Sequence, residues 1–277
     1  MVSELASVFH LRELAQYTRW TILVFAPIFV LIVLLEKRSG ADERRYLSRS
    51  FFNEILYAFF YQVPYTVFLL LPIMAVFKPH IGVFLPGLPL PVSVIAFLLI
   101  VDFGFYWIHR LQHAVPFLWA FHSVHHTQQR LTFLTTYRLH LLDQLLGVAN
   151  LMGISLLLGA PAGSFLPIVL AYHLFESMQH AELDWRYGKL YRFIVSPMFH
   201  AVHHSTDAQH YNKNFGKILS VWDFVFGTAE DAELRPSAYG VANLPMKESI
   251  LHQFIAPFRQ LQGRATLAEA PSPEKLS

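Results

Sequence analysis

LPLPVSVIAFLLIVDFGFYWIHRLQHAVPFLWAFHSVHH, residues 88–126, is the stretch on which the reading of this chain turns. Leu88 to Ile108 is almost free of charge and close to the roughly 20 residues that cross a hydrocarbon core, so it reads as a membrane helix. Its far end runs straight into His109, His113, His122, His125 and His126. Imidazole is the commonest side-chain metal ligand, and rings four apart on a helix share a face. If Leu88 to Leu111 is one helix, Asp102, Tyr106, His109 and His113 form a single stripe of carboxylate, phenol and two imidazoles. Asp102 and Tyr106 are then candidates for orienting the ligands from behind.

The pattern recurs. His122-x-x-His125-His126 is answered by His200-x-x-His203-His204, so three boxes lie between His109 and His204. Adjacent residues diverge by about 100° around a helix of 3.6 residues per turn, so one His-His pair can serve two metals. Burying so many imidazoles near a membrane without partners would be costly, which favours ligation over packing. His173, Glu176 and His180 follow one another at i, i+3 and i+7, and His140 has Asp143 one turn later. His180 joins the expected ligands, with His173 and His140 as further candidates whose alternative is a hydrogen-bonded interior histidine. Glu176 and Asp143 could orient ligand rings, or serve as ordinary interior acceptors. His10, His80, His210 and His252 have no such company and read as ordinary histidines. This set exceeds what one octahedral ion can use, so it favours a pair of metals; ligand type alone does not choose among iron, zinc, copper and nickel.

Bulk properties agree with a membrane setting. Of the 277 residues, 54% are hydrophobic and 14% charged, against about 25% charged in soluble domains, and the mean hydropathy is +0.39. A formal charge of +2, with basic residues scattered through loops, excludes nucleic-acid binding. With no cysteine, any metal must rest on nitrogen and oxygen, and thiolate haem, iron–sulfur clusters and zinc fingers are excluded.

Apolar runs predict spans at Trp20–Leu35, Phe51–Phe77 with a kink at Pro64, Leu88–Ile108, Leu141–Leu158 and Ser164–Met178. The last two are joined by the Gly159–Gly163 turn and could instead form a hairpin dipping partway into the bilayer. The first run ends in Glu36-Lys37-Arg38 rather than a small-residue cleavage site, which argues against a signal peptide. Lys37, Arg38, Arg44, Arg45 and Arg49 crowd the first loop, which places that loop, and by alternation all three boxes, on the cytoplasmic side. The expected fold is all-α: an integral membrane bundle of four to five transmembrane or re-entrant helices capped by a cytoplasmic histidine-rich helical region. Residues 1–87 supply N-terminal membrane helices, 88–228 the histidine region with its own membrane helices, and 229–277 a polar segment whose tail, from about Gly263, reads as disordered. All three are expected to make one integrated domain.

His109-x-x-x-His113, Trp119-x-x-His122-x-x-His125-His126, His180, Pro197-x-x-His200-x-x-His203-His204, Asn214-Phe215-Gly216 and Trp222-Asp223-x-x-Phe226-Gly227-Thr228 together resemble the fatty acid hydroxylase/sterol desaturase superfamily. The likeness runs from about Asp102 to Thr228. Two departures bear on subfamily and substrate: Leu141, not Pro, follows His140, and Ala181-Glu182 stands where many members have Asn. The resemblance implies a membrane-bound enzyme with two non-haem irons on these histidines and no catalytic residue beyond the metal centre. It would use O2 to hydroxylate or desaturate an unactivated C–H bond of a lipid. Two electrons must then come from outside. With no dinucleotide fingerprint, haem motif or cysteine cluster, the donor is expected to be a separate electron-transfer protein or reductase. Arg110, Arg130, Arg138, Arg186, Lys189 and Arg192 offer either its docking surface or headgroup anchors. The competing reading is a histidine-rich membrane metal transporter, or a metal-binding protein without oxygenase activity.

Overall fold

The structure is a computed structural model that describes residues 11–62, 87–158, 165–231, 234–241, 244 and 246–263. Most of the second expected span with Pro64, the Gly159–Gly163 turn, His10, His80 and the tail beyond Gly263 lie outside the described residues. The described residues are helical, with no strand; two segments meet only in an isolated bridge between Ser205 and Tyr239.

The long helices are α1 (Leu11–Arg38), α3 (Leu90–Ala114), α5 (Leu141–Leu158) and α6 (Phe165–His180). Shorter ones are α2 (Arg49–Leu56), α4 (Pro116–His126), α7 (Pro197–His203), α8 (Val221–Val225) and α9 (Ile250–Leu261). Two of them are long and apolar enough to cross a membrane, Pro91–Ala114 within α3 and Leu141–Leu158. At 16 residues, α6 is short of the roughly 20 that a full span needs.

Sequence chemistry explains the boundaries around the boxes. Proline at the start of a helix costs nothing, because its missing N–H would be unpaired there anyway, and it forces the preceding residue into an extended conformation. Pro116 therefore ends α3 at Ala114, leaves Val115 extended (φ −99°, ψ 115°) and starts α4 at once. The third expected span thus continues past Ile108 and carries both His109 and His113 on its last turns.

α3 packs on α5 at short range because Gly104 leaves room for Asn150: a Cβ on Gly104 would sit 2.0 Å from Asn150 Oδ1. Asn150 Nδ2 donates to the Val101 carbonyl at 3.0 Å. Around this contact Phe97, Val101, Leu151, Leu158 and Tyr172 form one apolar core. A second, of Ile32, Tyr57, Phe133, Leu134, Tyr137, Ala181 and Leu183, ties α1 and the chain after α2 to the loop beyond α4.

Buried polar groups reinforce that tie. Glu54 accepts from Gln128 Nε2 (2.6 Å), Thr132 Oγ1 (2.5 Å) and Thr135 Oγ1 (3.1 Å). Arg45 is paired with both Glu36 and Glu182. The segment after Ala229, expected to be polar, contains α9, laid against α4 through the Phe121–Phe258 ring contact at 5.4 Å.

Candidate metal centre

Four elements deliver nine histidines to one place. α3 brings His109 and His113, α4 brings His122, His125 and His126, α6 ends on His180, and α7 with its C-cap brings His200, His203 and His204. They divide into two groups, His109, His113, His122, His126 and His203 in one and His125, His180, His200 and His204 in the other; within each, one ring nitrogen per residue lies within 4.8 Å of all the others. Both His-His pairs are split between the groups. The rings of His125 and His126 are 89° apart in plane and those of His203 and His204 87°, and the step of about 100° between neighbours on a helix sends them to different sides. His126 and His204 stack at 4.5 Å, so the groups abut.

The rings are aimed. His109 Nδ1 is 2.9 Å from the Phe215 carbonyl, His203 Nδ1 2.7 Å from that of Lys213, and His180 Nδ1 2.8 Å from that of Glu176. A carbonyl only accepts, so each Nδ1 carries the hydrogen and each Nε2 keeps its lone pair for the centre. His122 Nδ1 lies 3.2 Å from Asp143 Oδ1, to which Gln112 also donates at 2.5 Å.

Burial holds the rings of His125, His126, His200 and His204 well below the ordinary imidazole range, and pushes His203 down to about 3. Neutral rings with inward lone pairs are what a metal requires.

The donor set passes a test of fit. The Nε2 atoms of His109, His122 and His203 are buried without a hydrogen-bond partner. Elsewhere Nε2 atoms face one another: His113 and His126 at 3.1 Å, His125 and His180 at 3.2 Å, His180 and His200 at 3.0 Å, His200 and His204 at 3.2 Å. Two nitrogens bound at about 2.1 Å to one ion and at right angles to each other are about 3.0 Å apart.

The other sequence candidates sit elsewhere. His173 stacks on Tyr137 at 5.4 Å, with Nδ1 3.7 Å from Glu176 Oε2, and belongs to neither group. His140 is held between Phe121 and Phe254, its Nε2 3.3 Å from the Phe254 carbonyl. Asp102 accepts from the N–H groups of Ile218 and Leu219 and from Trp222 Nε1, so it anchors the chain after the third box rather than a ring. Tyr106 is hydrogen-bonded to Thr228 at 2.9 Å. The Glu176 carboxylate pairs with Lys217 at 2.7 Å, and it is the Glu176 carbonyl that meets a ring of the two groups, His180. Of the basic residues considered for docking, Arg138 is buried and donates to Thr127, while Arg130, Lys189 and Arg192 are exposed.

Asp223 and Asn214, to which the sequence motifs gave no role, shape the turn behind the site. Asp223 accepts from the N–H groups of Phe215 and Gly216, both at 2.8 Å, and so fixes the carbonyl that orients His109. Burial raises its carboxyl to about 6. Asn214, at φ 59°, donates to the Phe199 carbonyl and holds the turn against α7. The signals in the sequence were the motifs that hold both residues and asparagine's tolerance of that left-handed conformation.

A cavity of about 160 Å³ opens on both groups, with His109, His122, His125, His180 and His200 in its wall. Phe105, Ile108, Gly147, Val148, Leu151 and Tyr172 make it apolar along α3, α5 and α6. Lys217 closes one side, paired with Glu176 and lying 4.0 Å over the Phe105 ring.

The all-histidine donor set thus lies at the end of an apolar cavity. Residues 94–228 match the model of the family described as fatty acid hydroxylase, and this stretch of the chain belongs to that family. Among curated proteins the chain is similar to the ornithine lipid hydroxylase OlsE of Rhizobium tropici, 32% identical over 66% of this chain and 55% of that one. It is also similar to the alkylglycerol monooxygenase of Homo sapiens, 32% identical over 56% of this chain and 35% of the relative. A third is methylsterol monooxygenase 1-3 of Arabidopsis thaliana, 26% identical over 51% of each. The chain spans about half or less of the length of these three relatives. No solved structure matches it.

Proposed function

We propose that the protein is a membrane-bound, iron-dependent oxidoreductase that uses O2 to hydroxylate or desaturate an unactivated C–H bond of a lipid. The reading is carried by one observation: two abutting groups of histidines, five and four, at the end of an apolar cavity. The relatives' names supply the substrate class, since they act on ornithine lipid, alkylglycerol and methylsterol.

Two irons would be held, one by His109, His113, His122, His126 and His203 and the other by His125, His180, His200 and His204. Iron bound there supplies O2 activation and removal of hydrogen from carbon. Everything else falls to the chain. The carbonyls of Phe215, Lys213 and Glu176 and the carboxylate of Asp143 fix the tautomer and tilt of four rings. Phe105, Ile108, Val148, Leu151 and Tyr172 exclude water and set how far an acyl or sterol carbon reaches. On that wall Lys217 and Glu176 offset each other's charge.

In this reading the membrane helices and the histidine region act as one integrated unit, the catalytic face is cytoplasmic, and the electrons come from a separate reductase or carrier. The test compares the lipids of a host making the parent chain with those of a host making His125→Ala. A product heavier by one oxygen or lighter by two hydrogens, present only with the parent, supports the proposal. Labile metal with flux across vesicles, and no such product, would establish the transporter instead.

A further inference from the structure

α9 carries its polarity the wrong way round for a helix bathed in water. The face packed on the protein holds Gln253 (1% exposed) and Gln260 (4%), while Leu251, Phe254, Phe258 and Leu261 are 69, 41, 45 and 43% exposed. The outward four recur at i, i+3, i+7 and i+10, one stripe along the helix. Ser123 Oγ on α4 donates to Gln260 Oε1 at 3.4 Å, and Gln253 Nε2 donates to the Lys247 carbonyl at 3.3 Å, so both inward glutamines meet polar partners within the protein. Arg259, exposed, flanks the stripe on one side.

Its place in the fold says what covers that stripe. α9 lies along α4, which begins two residues after α3 ends, and the carbonyl of Phe254 meets His140, the residue before α5. It is therefore set where the last turn of one membrane-length helix and the first turn of the other come together. Phe258 also meets the buried Phe121, which packs on the exposed Phe117, and Leu141 and Leu145 in the first turns of α5 are exposed as well.

We propose that α9 is an in-plane interfacial helix, with Leu251, Phe254, Phe258 and Leu261 among lipid acyl chains and Arg259 at the headgroups. Such helices sink their apolar face about 5–10 Å into the boundary between headgroups and chains. The proposal rests on α3 and α5 crossing the bilayer, and the experiment separates the two claims.

The chain has no cysteine, so single labels report single places. Spin labels at Phe254→Cys, Phe258→Cys and Arg259→Cys, with Ile95→Cys on the exposed face of α3 as reference, are read in the full chain reconstituted into phosphatidylcholine/phosphatidylglycerol vesicles. Collision with O2, which partitions into lipid, is compared with collision with a water-soluble nickel chelate. Labels at 254 and 258 should favour O2, as at 95, but at a shallower depth, and the label at 259 should favour nickel. Nickel access at 254 and 258 with lipid access at 95 overturns the proposal and leaves the spans standing. Shielding of 254 and 258 from both reagents also overturns it, because protein then covers the stripe, either a second copy or a partner. Nickel access at 95 overturns the spans and the proposal with them.

Discussion

The two histidine groups are built by different means. In the group of five, His109, His122 and His203 each rest an Nδ1 on an acceptor that helices do not supply by themselves: two carbonyls in the turn at 213–216 and the Asp143 carboxylate. In the group of four, only His180 has a braced Nδ1, on the Glu176 carbonyl one turn back in its own helix, while Nδ1 of His125, His200 and His204 is buried without a hydrogen-bond partner among the described residues. The first group is oriented by hydrogen bonds, the second by the packing of α4, α6 and α7. A ring held only by packing loses its aim when its neighbours relax, so the group of four should be the more fragile metal site.

The largest effect should come from removing one ring in each group. His200→Ala leaves three nitrogens on the weakly braced side, and His113→Ala leaves four on the other, three of them braced. Both variants should abolish lipid product. Metal analysis of the purified chains should separate them: His200→Ala falls to about half the parent's content, one group being emptied, whereas His113→Ala stays nearer the parent. A larger loss from His113→Ala would break the comparison.

Next comes the brace itself. Asp143→Asn keeps the size of the side chain but weakens its grip on His122 Nδ1 and its acceptance from Gln112. Loss of such an outer partner typically costs 10–100-fold in metal affinity. Chelator titration should show that drop in the group of five. Glu176→Gln should show little, because His180 is held by the Glu176 carbonyl, which the substitution leaves in place.

How far the sequence could be read follows the same division. The helices, the split of each His-His pair and the convergence of the boxes are consequences of a 3.6-residue turn, which spacing displays directly. Which of the remaining histidines joins the rings depends on where a helix stops. His180 closes α6 and reaches the centre; His173, two turns earlier, lies against Tyr137 instead. The bracing carbonyls of Phe215 and Lys213 were invisible, because main-chain acceptors leave no mark in residue identity. α9 was missed for a related reason: its charge and glutamine content reads as a polar segment until one sees that the glutamines face inward.

A smaller effect should appear with pH in the metal-depleted chain. Burial holds His125, His126, His200 and His204 below the ordinary value and His203 at about 3. The unfolded chain binds protons at these rings below about pH 6.5 while the folded chain does not, so stability rises with pH in that window and is lost as pH falls from about 6.5 toward 3. Thermal unfolding in detergent should show Tm dropping across that range. Metal loading should resist the drop at mildly acid pH, since bound rings cannot take a proton.

The smallest effects should come from the histidines outside both groups, and these test whether the groups end where the geometry ends them. His140→Ala removes the partner of the Phe254 carbonyl and the ring stacked on Phe254, which should loosen α9. Loss of one part-buried hydrogen bond costs about 0.5–1.5 kcal/mol, visible as a lower Tm at unchanged metal content. His173→Phe keeps a ring against Tyr137 and gives up only a 3.7 Å approach to Glu176, which still has Lys217. Its Tm should shift less than that of His140→Ala, with metal and product both retained. Loss of metal in His173→Phe would draw a tenth ring into the centre and erase the boundary between rings that ligate and rings that pack.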